Sequence, residues 1–331
     1  MLTRRATLAL VPALPLATLA APALLPAAAL AQGAWPARPP SIIVPFAAGG
    51  GVDVATRTIA EAAGTPLGRR PVIENSGGGS TIPATQAVVR ATPDGYTLLA
   101  VPTTTVINPA FRTDLPYDWR RELTPVALLA KLPFVVVTRA ASPVKTMPEL
   151  AEFVRKSGEP LTFGYGGSGT VAHLAGEFFG LRAQVPTQHV PYRGEAPALT
   201  DTLAGTLEVM FCTLASAAGQ IQSGALRALA VTVAQRVPSL PEVPTVAEQG
   251  LAGYDVSAWV GLAGPKDLPA EPVAKLDSAF AAALQEGAVK ERLGLLGAVP
   301  AAMGPAEFGA FMEAEAKLWA QVITDAKVRI D

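Results

Sequence analysis

Cysteine, histidine and surplus basic charge are scarce in this chain of 331 residues. Cys212 is the single cysteine, which excludes an intrachain disulfide framework and any CxxC-type metal or redox site. The two histidines, His173 and His189, could form a zinc site only with carboxylates as further ligands, so we expect no metal and no cofactor. Lys and Arg total 26 against 27 Asp and Glu, which leaves no basic surplus for a phosphate backbone and excludes nucleic acid as an expected partner.

Apolar residues are abundant, and their arrangement near the N-terminus is distinctive. Arg4 and Arg5 precede an uncharged stretch, rich in Ala and Leu, that ends in a small-x-small sequence at Ala31. This pattern predicts an export signal peptide over 1–31, cleaved near Ala31, and a soluble periplasmic protein. A membrane anchor is the alternative, since the apolar run could span a bilayer, but four prolines interrupt it. The arginine pair leaves Sec and Tat export both open.

Beyond residue 31, short β-branched runs alternate with helical patterns, which is typical of βαβ units and a mainly parallel sheet. The predicted strands are 41–46, 71–74, 96–101, 134–138, 161–164, 188–192, 207–212, 226–233 and 256–262. The predicted helices are 53–63, 83–90, 146–155, 171–181, 196–203, 272–284 and 305–326. Two such series in one chain indicate an α/β fold with two doubly wound domains.

The C-terminal helices indicate how the two domains are joined. No further strand is predicted after 256–262, and the helix over 305–326 carries an apolar stripe at Phe308, Phe311, Ala314, Leu318 and Val322. Such helices must cover an existing sheet, so the chain should return to the first domain. We therefore expect two crossovers, near 125–133 and 257–264, with one lobe made of 32–130 plus 260–331 and the other of 131–259. A cleft would lie between the lobes.

Several segments resemble those of a known receptor family. They are SIIVPFAAGGGVD at 41–53, PDGYTLL at 93–99, INPA at 107–110, GYGGSGTVAHLAGEFF at 164–179, HVPYRGEAPALTDTL at 189–203, LRALAVT at 226–232 and LPEVPTVAEQG at 240–250. In this order they resemble the substrate-binding proteins of tripartite tricarboxylate transporters, the Bug-type receptors, from about residue 39 to the C-terminus.

The resemblance implies a monomeric periplasmic receptor of the Venus flytrap type that captures a small organic carboxylate and delivers it to membrane permease subunits. Three loops depart from the family pattern, and they put the identity of the ligand in doubt. In the first loop Ala48 stands where the family usually has Pro, and Val52 where it has a hydroxyl residue. The second loop, usually rich in Gly with an Asn, reads GGGST at 77–81, and in the third Cys212-Thr213 stands where the family commonly has Asp-Asn.

Two glycine-rich loops at strand ends are the proposed ligand clamp. Residues 49–51 and 166–170 each precede a helix, and we expect their glycines, Gly50 and Gly169 among them, to adopt positive φ. Their backbone N–H groups could then approach a carboxylate at a helix N-terminus. Neither loop contains Lys or Arg, which predicts neutral donors and water rather than an arginine fork. The candidate ligand-binding residues are Phe46, Ala47, Ala48, Gly49, Gly50, Gly51, Asp53, Thr103, Thr104, Tyr165, Gly167, Ser168, Gly169, Thr170, His173 and Tyr192.

Some of these candidates have an equally simple structural role. Asp53 could order the loop or merely satisfy amides at the helix start, and His173 could be a packing or capping residue inside its helix. Tyr165 and Tyr192 end strands that face the cleft, but buried tyrosines with a satisfied hydroxyl are common.

Two other functions remain possible from the residues alone. Gly164, Gly166 and Gly169 match the dinucleotide fingerprint of a nucleotide-dependent enzyme, although no acid ends the next strand, where a ribose-binding residue should lie. Ser168 lacks the second glycine of a nucleophile elbow, since Thr170 stands there. A ligand-sensing receptor for a signalling kinase is the other alternative.

Overall fold

The computed structural model describes residues 35–326 and residue 328, so the predicted signal peptide lies outside the described residues. Within that part the strands are β1 Ser41–Val44, β2 Val72–Asn75, β3 Thr97–Pro102, β4 Leu123–Arg139, β5 Leu161–Tyr165, β6 Thr187–Pro191, β7 Val209–Thr213, β8 Leu226–Val231, β9 Ser257–Pro265 and β10 Val299–Met303. The helices are α1 Gly51–Leu67, α2 Ile82–Val89, α3 Thr104–Phe111, α4 Trp119–Glu122, α5 Met147–Ser157, α6 Val171–Ala183, α7 Glu195–Ala204, α8 Leu214–Gln222, α9 Ala270–Gln285, α10 Gly287–Leu295 and α11 Pro305–Ala326.

Strand β4 is shared by two groups of paired strands. Its first part, Leu123 to Pro133, pairs with β9, while its last part, from Phe134, pairs with β7 and β8. The first group has the order β2-β1-β3-β9-β4, with β10 also on β4, and the second has the order β6-β5-β7-β4, with β8 also on β4. The molecule therefore has two sheets that share one long strand.

The predicted parallel pairing is correct only for the βα units. Strand β1 pairs in parallel with β2 and β3, and β5 pairs in parallel with β6 and β7. All the recorded pairings of β4 are antiparallel, as is that between β3 and β9. In parallel neighbours the carboxyl ends lie at the same edge, so the loops after β1 and β3 meet at one edge, and those after β5 and β7 at another.

Helix α5 shows how local sequence signals act in this fold. The Thr146 hydroxyl accepts a hydrogen bond from the Glu149 N–H at 3.2 Å, as the first half of a capping box requires. The Glu149 carboxylate accepts from the Lys145 N–H at 2.7 Å, one residue earlier than in the usual box. Leu150 and Val154 are buried on one face of the helix, so the cap fixes where the apolar face begins.

The C-terminal region packs on the first sheet, as expected, but it contains two elements that were not predicted. Helix α9 packs against α1, and α11 packs against α3 and β4. Helix α10 follows α9 directly, and β10 then pairs antiparallel with β4. The prediction that no strand follows β9 is therefore wrong.

Trp259, at the middle of β9, connects this C-terminal region to the loop after β3. Its backbone N–H donates to the Thr103 hydroxyl at 2.8 Å, and its indole N–H donates to the Glu315 carboxylate at 2.9 Å. Its ring meets Phe308 edge to face at 5.6 Å between centroids. These contacts fix the position of Thr103, one of the candidate ligand residues. Within the described part of the chain, no helix is both long and apolar enough to cross a lipid bilayer.

Candidate functional site

A cavity lies where the strand ends of both sheets meet, and we call it the inner cavity. Its walls include the starts of α1 (residues 50–52), α3 (103–104) and α6 (170–172), together with Glu195 and Thr213. Thr213 ends β7 and is also the residue that caps the start of α8. Helix N-termini therefore converge on this cavity.

The starts of α1 and α6 share one geometry. The N-cap residues Gly50 and Thr170 both have φ −77° and ψ 163°, and neither caps its helix with a side chain. The Thr170 hydroxyl donates instead to the Gly167 carbonyl at 2.7 Å. Because the first N–H groups of a helix have no intrahelical acceptor, both helices present backbone donors at the cavity wall, with only the Gly51 N–H of α1 engaged, at 3.3 Å, by the Glu195 carboxylate. The wall contains no Lys or Arg, so the helix N-termini supply its positive potential.

Within the first glycine loop, only Gly49 has the left-handed backbone that was expected of all three glycines. Gly49 has φ +85°, whereas Gly50 is extended and Gly51 begins α1. Gly51 is required for a different reason, since a Cβ there would lie 2.1 Å from the Thr213 Oγ1 atom and 2.6 Å from the Thr213 Cβ atom. The expectation of a positive φ at Gly50 is wrong, because that residue serves as an ordinary extended N-cap.

Asp53 holds the first glycine loop in place. One carboxylate oxygen accepts from the Gly49 N–H at 2.9 Å, and the other accepts from Arg57 Nε at 2.9 Å and Asn75 Nδ2 at 2.8 Å. The Asn75 amide also donates to the Phe46 carbonyl at 3.1 Å. Asp53 is 2% exposed and lines neither cavity described here, so it acts on a ligand only through the loop.

Glu195 was missed by the sequence reasoning as a site residue. One oxygen of its carboxylate accepts from the Thr213 N–H at 2.8 Å. The other accepts from the Thr213 hydroxyl at 2.5 Å, the Ser216 hydroxyl at 2.6 Å and, more weakly, the Gly51 N–H at 3.3 Å. The Glu195 carboxylate thus places a fixed negative charge on the inner wall, and its hydrogen bonds connect α7 to the starts of α8 and α1.

The Cys212-Thr213 departure from the family pattern reaches the site through only one of its two residues. Thr213 contacts Glu195 and faces Gly51, as described above. Cys212 is fully buried in the apolar cluster of the second sheet, and burial raises the pKa of its thiol well above the ordinary value. We conclude that Thr213, and not Cys212, is the substitution that shapes the cavity.

A second cavity, which we call the outer cavity, shares Phe46, Gly166 and Thr170 with the inner one. Its wall includes two arginines, Arg112 and Arg193. The residues that line the inner cavity thus include no cation and those that line the outer cavity include two, while the neutral donors expected of the glycine loops stay a prediction. Both arginines lie outside the glycine loops, which explains why the loops alone gave no sign of them.

The predicted site residues fall into three groups. Those on the inner cavity wall are Phe46, Gly50, Gly51, Thr103, Thr104 and Thr170. Those found on the outer cavity wall, besides the shared Phe46 and Thr170, are Gly167, Ser168 and Tyr192. The third group lines neither cavity and consists of Ala47, Ala48, Gly49, Asp53, Tyr165, Gly169 and His173.

Tyr192 lies on the outer wall with its hydroxyl already engaged. The hydroxyl donates to an Asp201 carboxylate oxygen at 2.5 Å. Burial and, as a smaller cause, the neighbouring Asp201 carboxylate raise the pKa of Tyr192 to about 12. The phenol therefore stays neutral and continues to donate its hydrogen bond to Asp201. A ligand would meet the aromatic ring of Tyr192 more readily than its proton.

His173 lies in the core behind the second glycine loop. Its ring is fully buried and stacks on Tyr165 with centroids 4.6 Å apart. The Gly169 N–H donates to His173 Nδ1 at 3.3 Å, so the ring supports the loop from below. Burial and the charge of neighbouring His189 lower the pKa of His173 to about 3, which keeps the imidazole neutral.

His173, Glu177 and His189 form the one candidate metal cluster within the described residues, with ligand atoms within 4.8 Å of one another. The tautomer of His173 argues against a metal there. Because Nδ1 accepts the Gly169 N–H, the ring proton of the neutral imidazole lies on Nε2, the atom that a metal would need. Glu177 instead lies 3.2 Å from His189 Nδ1 and accepts from the Thr187 hydroxyl at 3.0 Å. The cluster is best explained as a hydrogen-bonded part of the core.

Comparison with known proteins gives a consistent result. The family model described as "Tripartite tricarboxylate transporter family receptor" matches residues 55–328. The structure of the periplasmic binding protein BugD is 33% identical, with a TM-score of 0.86 over 89% of this chain and 99% of that one. Rpa4515 from R. palustris, solved with adipate, is 31% identical, with a TM-score of 0.86 over 89% of this chain and 99% of that one. MatC from Rhodopseudomonas palustris, solved with bound malate, is 31% identical, with a TM-score of 0.82 over 87% of this chain and 100% of that one.

Proposed function

The chain belongs to the tripartite tricarboxylate transporter receptor family, and from that premise we propose that its inner cavity binds one carboxylate of a small organic acid through the N-termini of α1 and α6. Members of this family are solute receptors of the periplasmic-binding-protein fold and not enzymes, so the resemblance noted in the sequence is confirmed. The nucleotide-enzyme alternative is thereby set aside.

The observation that carries the proposal is that two helix starts with identical N-cap backbone angles, one from each sheet, line one cavity without a capping side chain of their own. An anion between the two helix starts would accept hydrogen bonds from backbone N–H groups of both helices. Each helix dipole would also favour the negative charge of the anion. Adipate and malate, the ligands of two relatives, both carry carboxylates. Glu195 supplies a fixed negative charge nearby, which would moderate the affinity and favour release, as a transport receptor requires.

We also propose that the two sheets are the cores of two lobes that close on the ligand. The pairing of β4 with both groups of strands supports crossovers near 125–133 and 257–264, and hence lobes of 32–130 plus 260–331 and of 131–259. Two linking segments would permit a hinge and restrict other motion. In this proposal the closed receptor is a monomer that delivers its ligand to membrane permease subunits.

Export provides a first test at the N-terminus. We expect removal of 1–31, because an uncharged apolar stretch after Arg4 and Arg5 ends in small residues at Ala31. The intact mass of the protein in the periplasmic fraction should correspond to a chain that begins at Gln32. A membrane-retained species that begins at Met1 would contradict the proposal.

The binding role of the α6 start can be tested by removing one backbone donor. We expect Val171→Pro to keep the helix, because proline is well tolerated at the first helical position and Thr170 before it is already extended. The substitution removes the Val171 N–H from the inner wall. Since a hydrogen bond to a charged group contributes about 1.5–3 kcal/mol, the affinity for the bound carboxylate should fall roughly tenfold or more in a calorimetric titration.

Ala270→Pro is the matched control for Val171→Pro. Ala270 is the first residue of α9, its N-cap Pro269 is likewise extended (φ −58°, ψ 148°), and it lies on neither cavity wall. The Ala270→Pro variant should bind the carboxylate with the affinity of the parent. If Val171→Pro folds with an unchanged thermal midpoint and also binds like the parent, the α6 start does not hold the ligand.

A further inference from the structure

The outer cavity contains a positively charged side chain without a partner. Arg112 follows the end of α3, and its Nε atom is buried without a hydrogen-bond acceptor. Among the residues that the structure describes, no carboxylate forms an ion pair with Arg112 or Arg193. Arg193 is exposed, so its charge lies at the rim, whereas that of Arg112 lies deeper. A buried guanidinium nitrogen without an acceptor requires an explanation.

A second group without a partner lies on the same wall. Thr81 is 2% exposed, and its hydroxyl has neither a donor nor an acceptor partner within the described part of the chain. Unlike a carbonyl, a hydroxyl and a guanidinium both donate hydrogen bonds. Both unused donors belong to residues that line one cavity, so an acceptor bound there could engage them, and the guanidinium favours an acceptor that carries negative charge.

The backbone that positions Thr81 is strained and is held from outside. Ser80 has φ +51° and Thr81 has φ +69°, both in the left-handed region that a β-branched residue such as Thr rarely adopts. The Asn108 side-chain amide donates to the Ser80 carbonyl at 3.0 Å, and Asn108 is itself 1% exposed. Helix α3 thus places Arg112 at its end and holds the Ser80–Thr81 turn through Asn108. Strain that is maintained in this way is typical of binding sites.

We propose that Arg112 and Thr81 determine specificity by holding the second carboxylate of a dicarboxylic acid whose first carboxylate lies in the inner cavity, with Arg193 adding attraction at the rim. This inference rests on the proposed function. The two cavities share wall residues, so one extended molecule can reach both. The inner wall, which carries Glu195 and no cation, favours a single carboxylate there, and the outer wall then accounts for a second one.

The test compares diacids with monoacids of the same chain length. Straight-chain diacids from succinate to azelate, and the corresponding monoacids, are titrated calorimetrically into the purified protein and its Arg112→Gln and Thr81→Val variants. Thr81→Val keeps the branched shape and removes only the hydroxyl. We expect the affinity for the best diacid to fall at least tenfold in Arg112→Gln and about threefold to tenfold in Thr81→Val, while monoacid affinities change less than twofold.

Arg90→Gln is the matched control, because Arg90 is exposed, lies on neither cavity wall and carries the same charge. It should bind every acid like the parent. Equal losses for diacids and monoacids in Arg112→Gln, or no loss at all, would overturn the subsite while leaving the inner site in place. A parent protein that binds no acid of either series would overturn the proposed function together with this inference.

A measurement without ligand separates binding from a structural role. Neither Arg112 nor the Thr81 hydroxyl has a partner to lose, so Arg112→Gln and Thr81→Val should unfold at or above the thermal midpoint of the parent. A clearly lower midpoint in Arg112→Gln would mean that the guanidinium supports the fold, and it would overturn the proposed role in recognition.

Discussion

Gly51→Ala is expected to reduce ligand affinity by about 10- to 100-fold while leaving each sheet folded. The added Cβ would lie 2.6 Å from the Thr213 Cβ atom, a contact that no side-chain rotation of Thr213 can relieve. The start of α1 and the end of β7 would therefore have to separate, and overpacking of this kind costs about 1–3 kcal/mol. Since the proposed binding mode requires the closed arrangement, that cost should appear in the affinity. Calorimetry measures the loss, and small-angle scattering should show that the ligand no longer compacts the protein.

Gly219→Ala is the matched control for this substitution. Gly219 lies inside α8, is exposed, and has no atom within 4 Å of the position that a Cβ would take. The variant should bind like the parent and be slightly more stable, since alanine favours a helix over glycine by about 1 kcal/mol. If Gly51→Ala binds and compacts as Gly219→Ala does, then contact between Gly51 and Thr213 is not required for binding.

The strand–helix alternation was predictable because each βα unit carries its own local signal. The predicted strand at 41–46 and helix at 53–63 correspond to β1 and α1, although α1 begins at Gly51. Strand β4 was found only in part, as 134–138, because Pro125 and Pro133 argue against a central strand. In the structure the register of β4 against β9 shifts between Pro125 and Ala127, so a bulge accommodates one proline within the pairing.

The face of α11 shows a limit of pattern reasoning. Phe308 is buried as predicted, but the stripe drifts from there, since Leu318 is 54% exposed. The buried positions after Phe308 are Met312, Ala316, Trp319 and Ile323, which follow one another at the spacing of three to four residues that a helix requires. The predicted positions advanced by three residues twice in succession, from Phe308 to Phe311 and then to Ala314. The predicted stripe therefore turned away from the core.

The charged groups of the site could not be found from the glycine loops. Glu195 starts α7, and Arg112 ends α3, far away in sequence from residues 49–51 and 166–170. The packing of α7 against β7 brings Glu195 to the inner cavity, and the packing of α3 on the Ser80–Thr81 turn brings Arg112 to the outer one. The loops indicated that an anion binds, whereas the tertiary structure decides which charges surround it.

The other large effect concerns acid stability and depends on His173. Burial, with a smaller contribution from His189, lowers the pKa of His173 from 6.5 to about 3. Between these values the unfolded chain takes up a proton that the folded chain refuses, so stability that is fully present above pH 6.5 is lost as the pH falls towards 3. At about 1.4 kcal/mol per pH unit, the loss should reach about 2 kcal/mol at about pH 5. Urea unfolding at a series of pH values measures the free energy of unfolding directly.

His173→Gln should remove most of this pH dependence, because glutamine does not titrate. The variant should be less stable than the parent at neutral pH, since it loses the ring that stacks on Tyr165. On acidification to about pH 5, however, its free energy of unfolding should fall about 2 kcal/mol less than that of the parent. His189→Gln is the matched control, because His189 lies in the same cluster with its side chain 29% exposed and the variant retains His173. That control should keep most of the acid sensitivity of the parent. Equal acid sensitivity in the parent and in His173→Gln would show that the folded protein protonates His173 as readily as the unfolded chain does, which the fully buried position of the ring argues against.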